Sequence, residues 1–134
     1  MAPVERADGM APPAKPARRT RYARVVVAHG AILRIYEKAP LLADQVAVNH
    51  RKADITARQK AMLDFALKVC RESGTVDDAD FQTLREHGFS DEDIWDIAAI
   101  TAFFGLSNRI ANVISMRPND EFHLMGRVPK GAAQ

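Results

Sequence analysis

The sequence predicts an all-α domain, and three observations carry that expectation. Apolar residues recur at helical spacing in successive segments. Several of those segments open on a side chain suited to capping a helix. No stretch alternates apolar and polar residues as a half-buried strand would.

The first twenty residues are rich in Ala, Pro and Arg, with Ala11-Pro12-Pro13-Ala14-Lys15-Pro16 at their centre. Proline at that density blocks helix and central strand, and little there can build a core. Residues 1–21 are therefore expected to form a disordered basic tail. From Tyr22 to about Glu37 the pattern is helical, with Val26, Val27, Ile32, Leu33 and Tyr36 on one broad face, and Pro40 breaks it. Leu41, Leu42, Val46 and Val48 predict a short second helix over about 41–49.

Thr56 with Gln59 three residues later fits a capping box, in which each side chain satisfies the other's backbone amide. The helix it opens runs to about Glu72, with Met62, Phe65, Ala66, Val69 and Cys70 expected on its buried side, and Ser73-Gly74 ends it. Asp77 caps a helix of about 78–87 whose apolar contacts are Phe81 and Leu84, closed by Gly88. Then Ser90 caps the longest helix, acidic residues fill its first turn where the dipole favours them, and Phe89 can staple onto Ile94. From Asp91 to about Ser115 this helix is apolar on nearly every face, which places it in the core or in a subunit interface. Pro118 follows, and residues 118–134 are expected to be a loose tail.

The chain has 134 residues, 27% of them charged and 47% hydrophobic, which suits one globular domain with a real core. No run approaches the roughly 18–20 apolar residues of a membrane span. Arg18-Arg19 is no twin-arginine signal, because Arg24, His29 and Arg34 interrupt the apolar run that follows. A cytoplasmic location is expected. The net charge is +2, but residues 1–24 hold six basic residues against two acidic ones, a local net of +4. A short basic arm can attract nucleic acid or anionic lipid, although a solvated arm is the commoner case, so neither nucleic acid nor membrane is expected as a partner.

The chemistry-bearing residues are few. The single cysteine, Cys70, excludes a disulfide within the chain and a cysteine-rich zinc site. Between Leu67 and Val69 on one side and a helix end on the other, it reads as a buried small hydrophobe, not a reactive thiolate. The four histidines, His29, His50, His87 and His123, show no metal-ligand spacing, and no phosphate loop is present, so no metal and no cofactor are expected. The acidic clusters Asp77, Asp78, Asp80 and Asp91, Glu92, Asp93 stand at helix starts and read as caps. His29 lies mid-helix beside Gly30, and a helical glycine costs roughly 1 kcal/mol relative to alanine. That cost implies close packing or the approach of a ligand, with His29 read first as a core histidine.

From Val26 to about residue 117 the chain resembles the peroxidase-related branch of the AhpD-like, or carboxymuconolactone decarboxylase, superfamily. The likeness is carried by Val26-Val27-Ala28-His29-Gly30-Ala31, Pro40-Leu41-Leu42-Ala43-Asp44, Arg51-Lys52-Ala53-Asp54-Ile55-Thr56 and Met62-Leu63-Asp64-Phe65-Ala66. It continues through Gly88-Phe89-Ser90-Asp91-Glu92-Asp93-Ile94, Thr101-Ala102-Phe103-Phe104 and Asn108-Arg109. The resemblance implies an AhpD-like helical bundle over 22–117, assembly with itself into trimers or hexamers through long apolar helices, and thiol peroxidase chemistry on a small hydroperoxide with a thiol reductant. In that chemistry a Cys-x-x-Cys-x-x-x-His run opens a helix, and a glutamate lies about three turns upstream.

Carried across residue by residue, only His29 matches. Tyr22 and Val25 stand at the cysteine positions and Met10 at the glutamate position. A thiolate is the nucleophile in such chemistry, and neither phenol nor an isopropyl group replaces it. The likeness stops abruptly between Val25 and Val26, inside an expected helix, as a truncated or frame-shifted reading of a gene would make it stop; the alternative is loss of catalysis in a divergent paralogue. A catalytically incomplete hydroperoxidase is thus the first expectation. A non-enzymatic oligomeric binding subunit is the second. A cysteine-independent lyase is the third, with His29 as acid or base and Asn108 or Arg109 assisting.

Overall fold

The computed structural model describes residues 23–127, with side chains described from His29 onward. The expectations for the basic tail, for Met10 and for Tyr22 fall outside the described residues, as do residues 128–134. All the described secondary structure is helical: α1 (Ala23–Glu37), α2 (Leu42–Asn49), α3 (Ala57–Glu72), α4 (Asp78–Glu86), α5 (Asp91–Val113) and α6 (Glu121–Leu124), with short 3-10 turns at His50–Lys52 and Ser73–Thr75.

Helices α3, α4 and α5 each begin as the sequence predicts. Thr56 and Gln59, Asp77 and Asp80, and Ser90 and Asp93 form reciprocal capping boxes. Each supplies acceptors for amide groups that the first helical turn leaves orphaned. The caps also tune their acids. The Ser90 amide, then its hydroxyl, hold the Asp93 carboxyl below its ordinary value. The Lys68 ammonium, 2.6 Å from Asp80, followed by the Asp77 amide, does the same for Asp80. Lys68 itself is raised by the hydrogen bond to Asp80. Gly88 ends α4 at φ +81, a conformation that glycine adopts without steric cost.

The caps aim the apolar faces of these three helices at one another. Phe65 of α3, Leu84 of α4, Ile94 of α5 and Phe89 between the last two form the core cluster, with Met62, Val69, Val76, Phe81 and Ile97 around it. Leu84 is only 1% exposed. The Phe89 amide donates to the Leu84 carbonyl at 3.1 Å, and the Arg58 guanidinium sits 4.0 Å above the Phe89 ring. The start of α3 is thereby fastened over the loop that joins α4 to α5.

A second group, α1, α2 and α6, packs beside this core. Lys38 at φ +52 ends α1 just before Pro40. The 3-10 turn after α2 is tied to α3 by Asp64, whose Oδ1 lies 2.7 Å from His50 Nε2 and 2.8 Å from Arg51 Nε. Partial burial pushes the Asp64 carboxyl up, but those two hydrogen bonds outweigh it and hold the group below its ordinary value.

The structure corrects the reading of residues 118–134 as loose throughout. Residues 121–124 form α6, and Arg34 of α1 holds it: Nε donates to the Met125 carbonyl at 3.0 Å and Nη2 to the Phe122 carbonyl at 3.1 Å. Arg34, one of the charges interrupting the apolar run, is only 4% exposed. Four helical residues without apolar periodicity leave no local signal, because what orders them lies about ninety residues away in sequence.

Candidate functional site

The site begins on α3 and α5, whose facing surfaces leave an open groove of about 1060 Å³. Met62, Ala66 and Cys70, one turn apart, bring one face of α3 to it. Thr101, Phe104 and Asn108 do the same from α5. The walls are chiefly apolar, as small-molecule sites and helix-docking grooves both are. Thr101 is turned back on its own helix, its hydroxyl donating to the Ile97 carbonyl at 2.7 Å. The Asn108 Oδ1 atom is buried without a hydrogen-bond partner. A buried acceptor left unsatisfied is uncommon and calls for a donor. Arg109, beside it, donates from Nη1 to the Gly105 carbonyl at 2.9 Å.

His29 reaches the edge of this region from α1. Its ring meets Phe104 edge-on, with centroids 4.8 Å apart and planes at 89°. Phe104 also lines the groove, so one aromatic side chain joins His29 to the α3–α5 surface. His29 is exposed, which corrects its reading as a core histidine: its ring meets Phe104 at the surface and not within the core cluster. Gly30 is buried, but the space around it does not demand glycine. A β-carbon there would stand 3.4 Å from Arg34 Nη1 and 3.5 Å from the Ala43 methyl. Val25 lies one turn before His29 on α1.

Cys70 is also exposed, against its expected burial. The last turn of α3 faces the groove, which no element among the described residues covers, so a position that periodicity marks as inward opens to solvent. Asn108, which the family likeness and the lyase reading both include, lies in an otherwise apolar helix, and its burial without a partner has no signal in the sequence. Among the described residues, no group of three or more His, Cys, Asp or Glu side chains converges as a metal site would require.

Helix α5 leaves much of its apolar surface uncovered. Trp95 is 74% exposed, Phe103 62% and Val113 83%, and Leu106 and Ile110 are also open. Among the described residues, core contact reaches this helix through Ile94, Ile97 and Ala98. No helix among the described residues is long and apolar enough to cross a membrane.

No family model and no curated protein matches the chain. Solved structures do. A crystal structure of an alkylhydroperoxidase AhpD core, an uncharacterized peroxidase-related protein from Ralstonia eutropha JMP134, is similar at 78% identity over 80% of this chain and 56% of its own, with a TM-score of 0.78. An uncharacterized peroxidase-related protein from Silicibacter sp. TM1040 is similar at 47% identity over 76% of this chain and 53% of its own, with a TM-score of 0.74. The chain thus spans about half the length of these solved relatives.

Proposed function

We propose that this chain, which belongs to the AhpD-like, peroxidase-related family, is a catalytically incomplete member that acts as a self-associating helical subunit and not as a two-cysteine hydroperoxide reductase. One observation carries the reading: His29 is kept, while Tyr22 and Val25 fill the cysteine positions and Cys70 is the sole thiol of the sequence.

The chemistry explains the weight of that observation. In a two-thiol cycle one thiolate attacks a peroxide oxygen, releases the alcohol and becomes a sulfenic acid; the second thiol then condenses with it, expels water and closes a disulfide. A phenol and an isopropyl group perform neither step. Cys70 taken alone would stop at the sulfenic acid unless an external thiol resolved it. The uncovered apolar side of α5 supports the subunit reading, because exposed contiguous apolar surface marks an interaction site.

Purified protein given an organic hydroperoxide and excess dithiothreitol is expected to show no turnover above the uncatalysed rate. Thiol-dependent turnover would overturn the claim of lost catalysis, and its loss in Cys70→Ser would show a one-cysteine cycle in which dithiothreitol resolves the Cys70 sulfenic acid. Light scattering after gel filtration is expected to show a trimer or hexamer, and a monomer would remove the subunit role.

The contact of an exposed His29 with Phe104 favours a second reading, a cysteine-independent lyase of the carboxymuconolactone decarboxylase kind with His29 as general acid or base. It requires a lactone-decarboxylating activity that His29→Ala abolishes; an unchanged rate in that variant sinks it.

A further inference from the structure

Two groups of helices make up this chain, and the covalent path between them passes through the 3-10 turn after α2. A second path leaves the far end of α5 at Val113, runs through Pro118 and returns as α6 against α1. We propose that residues 118–127 are a strap, latched by a buried arginine, that fixes α1 against α5 and so places His29 on Phe104.

The latch is built from charge that has little else to do. The Arg34 guanidinium is buried, yet among the described residues no carboxylate lies within ion-pair distance of it. Its hydrogen bonds go to the Phe122 carbonyl within α6 and to the Met125 carbonyl just past the end of α6. A buried cation needs such acceptors, and a carbonyl facing a guanidinium gains a charge-assisted bond. Arginine and strap therefore depend on each other.

Two further features close the latch. Gly126 turns the chain at φ +76 directly over Arg34, and a β-carbon there would lie 2.8 Å from the Arg34 β-carbon. Only glycine permits that approach. Past the turn, Arg127 Nη2 reaches Asp44 Oδ1 of α2 at 2.8 Å, so the strap touches α1 and α2. The contact of α1 with α5 is slight by comparison, with the His29–Phe104 ring pair as its defined element. Orientation of α1 thus rests on the strap and on its packing against α2, which the His50–Asp64 bond ties to α3.

The test uses the full chain, with hydrogen exchange on the strap and NMR of the His29 ring protons, which a Phe104 ring held edge-on displaces. Arg34→Met keeps an apolar stem but removes both bonds. It should speed exchange of the Phe122, Met125 and Arg127 amides by roughly a hundredfold, taking a charged hydrogen bond as worth about tenfold each. It should also move the His29 resonances toward those of an unstructured histidine while α3–α5 amides stay protected. Gly126→Val, which blocks the turn and leaves Arg34 in place, should do the same. Unchanged strap protection in both variants would overturn the latch. Loss of strap protection with unmoved His29 resonances would overturn its role in placing α1.

Discussion

Removal of the Leu84 side chain measures how much of the domain's stability resides in the α3–α4–α5 core. Leu84 is only 1% exposed and stands between Phe65, Phe89 and Ile94. Leu84→Ala deletes three buried carbons and leaves a cavity whose cost depends on how far the neighbours collapse into it; comparable substitutions cost about 2.7–5 kcal/mol. Collapse is hindered here. Phe89 is held by its amide bond to the Leu84 carbonyl and by Arg58 above its ring, and Ile94 sits in the first turn of a capped helix. The upper part of the range, about 4 kcal/mol, is expected. Domains of this size have roughly 5–15 kcal/mol in total, so the variant should remain folded but near its limit. Urea unfolding followed by far-ultraviolet circular dichroism reads the difference as a shift in midpoint at constant slope. Leu84→Met, which nearly conserves volume, should cost under about 1.5 kcal/mol. A loss below about 1.5 kcal/mol for the alanine variant would refute the claim that Leu84 is locked in a core unable to close around it.

Other expectations concern caps, charges and glycines. Ser90→Ala should destabilise by about 1 kcal/mol and let the Asp93 carboxyl rise part of the way toward its ordinary value, since the backbone amide still holds it; a carboxyl titration by NMR checks both partners of the box. The depressed Asp80 carboxyl contributes stability that is present above its unfolded value of about 3.8 and is lost as pH falls through the lower folded value. The raised Lys68 contributes stability that is present below about 10.5 and is lost as pH climbs through the higher folded value. Asp80→Asn should therefore flatten both the acid and the alkaline limbs of a stability–pH curve. Gly88→Ala should cost about 1 kcal/mol, because φ is +81 there. Gly105→Ala should instead gain up to about 1 kcal/mol, as its β-carbon meets only the flexible Arg109 guanidinium at 3.1 Å; thermal unfolding distinguishes the two signs.

Helices α3, α4 and α5 were legible because their signals are local. A capping box occupies four consecutive residues, and the apolar spacing that follows needs no knowledge of the partner. Cys70 and His29 were misread for one shared reason. Periodicity tells which way a side chain faces within its helix but not whether anything lies opposite, and both residues look toward surface that the described chain leaves open. Arg34 shows the converse. Its charge was visible as an interruption of an apolar run, while the carbonyls that make its burial tolerable come from residues 122 and 125. Chemistry at the site divides the same way. The absence of the cysteine pair is a fact of composition and needs no fold, whereas the orphaned Asn108 carbonyl emerges only once α3 and α5 are laid side by side.

Trp95 is the only tryptophan in the sequence, and it stands on the uncovered side of α5. An indole in water emits at longer wavelength than one buried in an apolar contact, so this residue is a built-in optical label for whatever covers the helix. Dilution of an assembled sample should shift its emission to the red as subunits part, and the midpoint of that shift gives the association constant without an added dye. The same band discriminates between ligands in the α3–α5 groove, which Trp95 does not line, and partners on the open helix face, which it must feel.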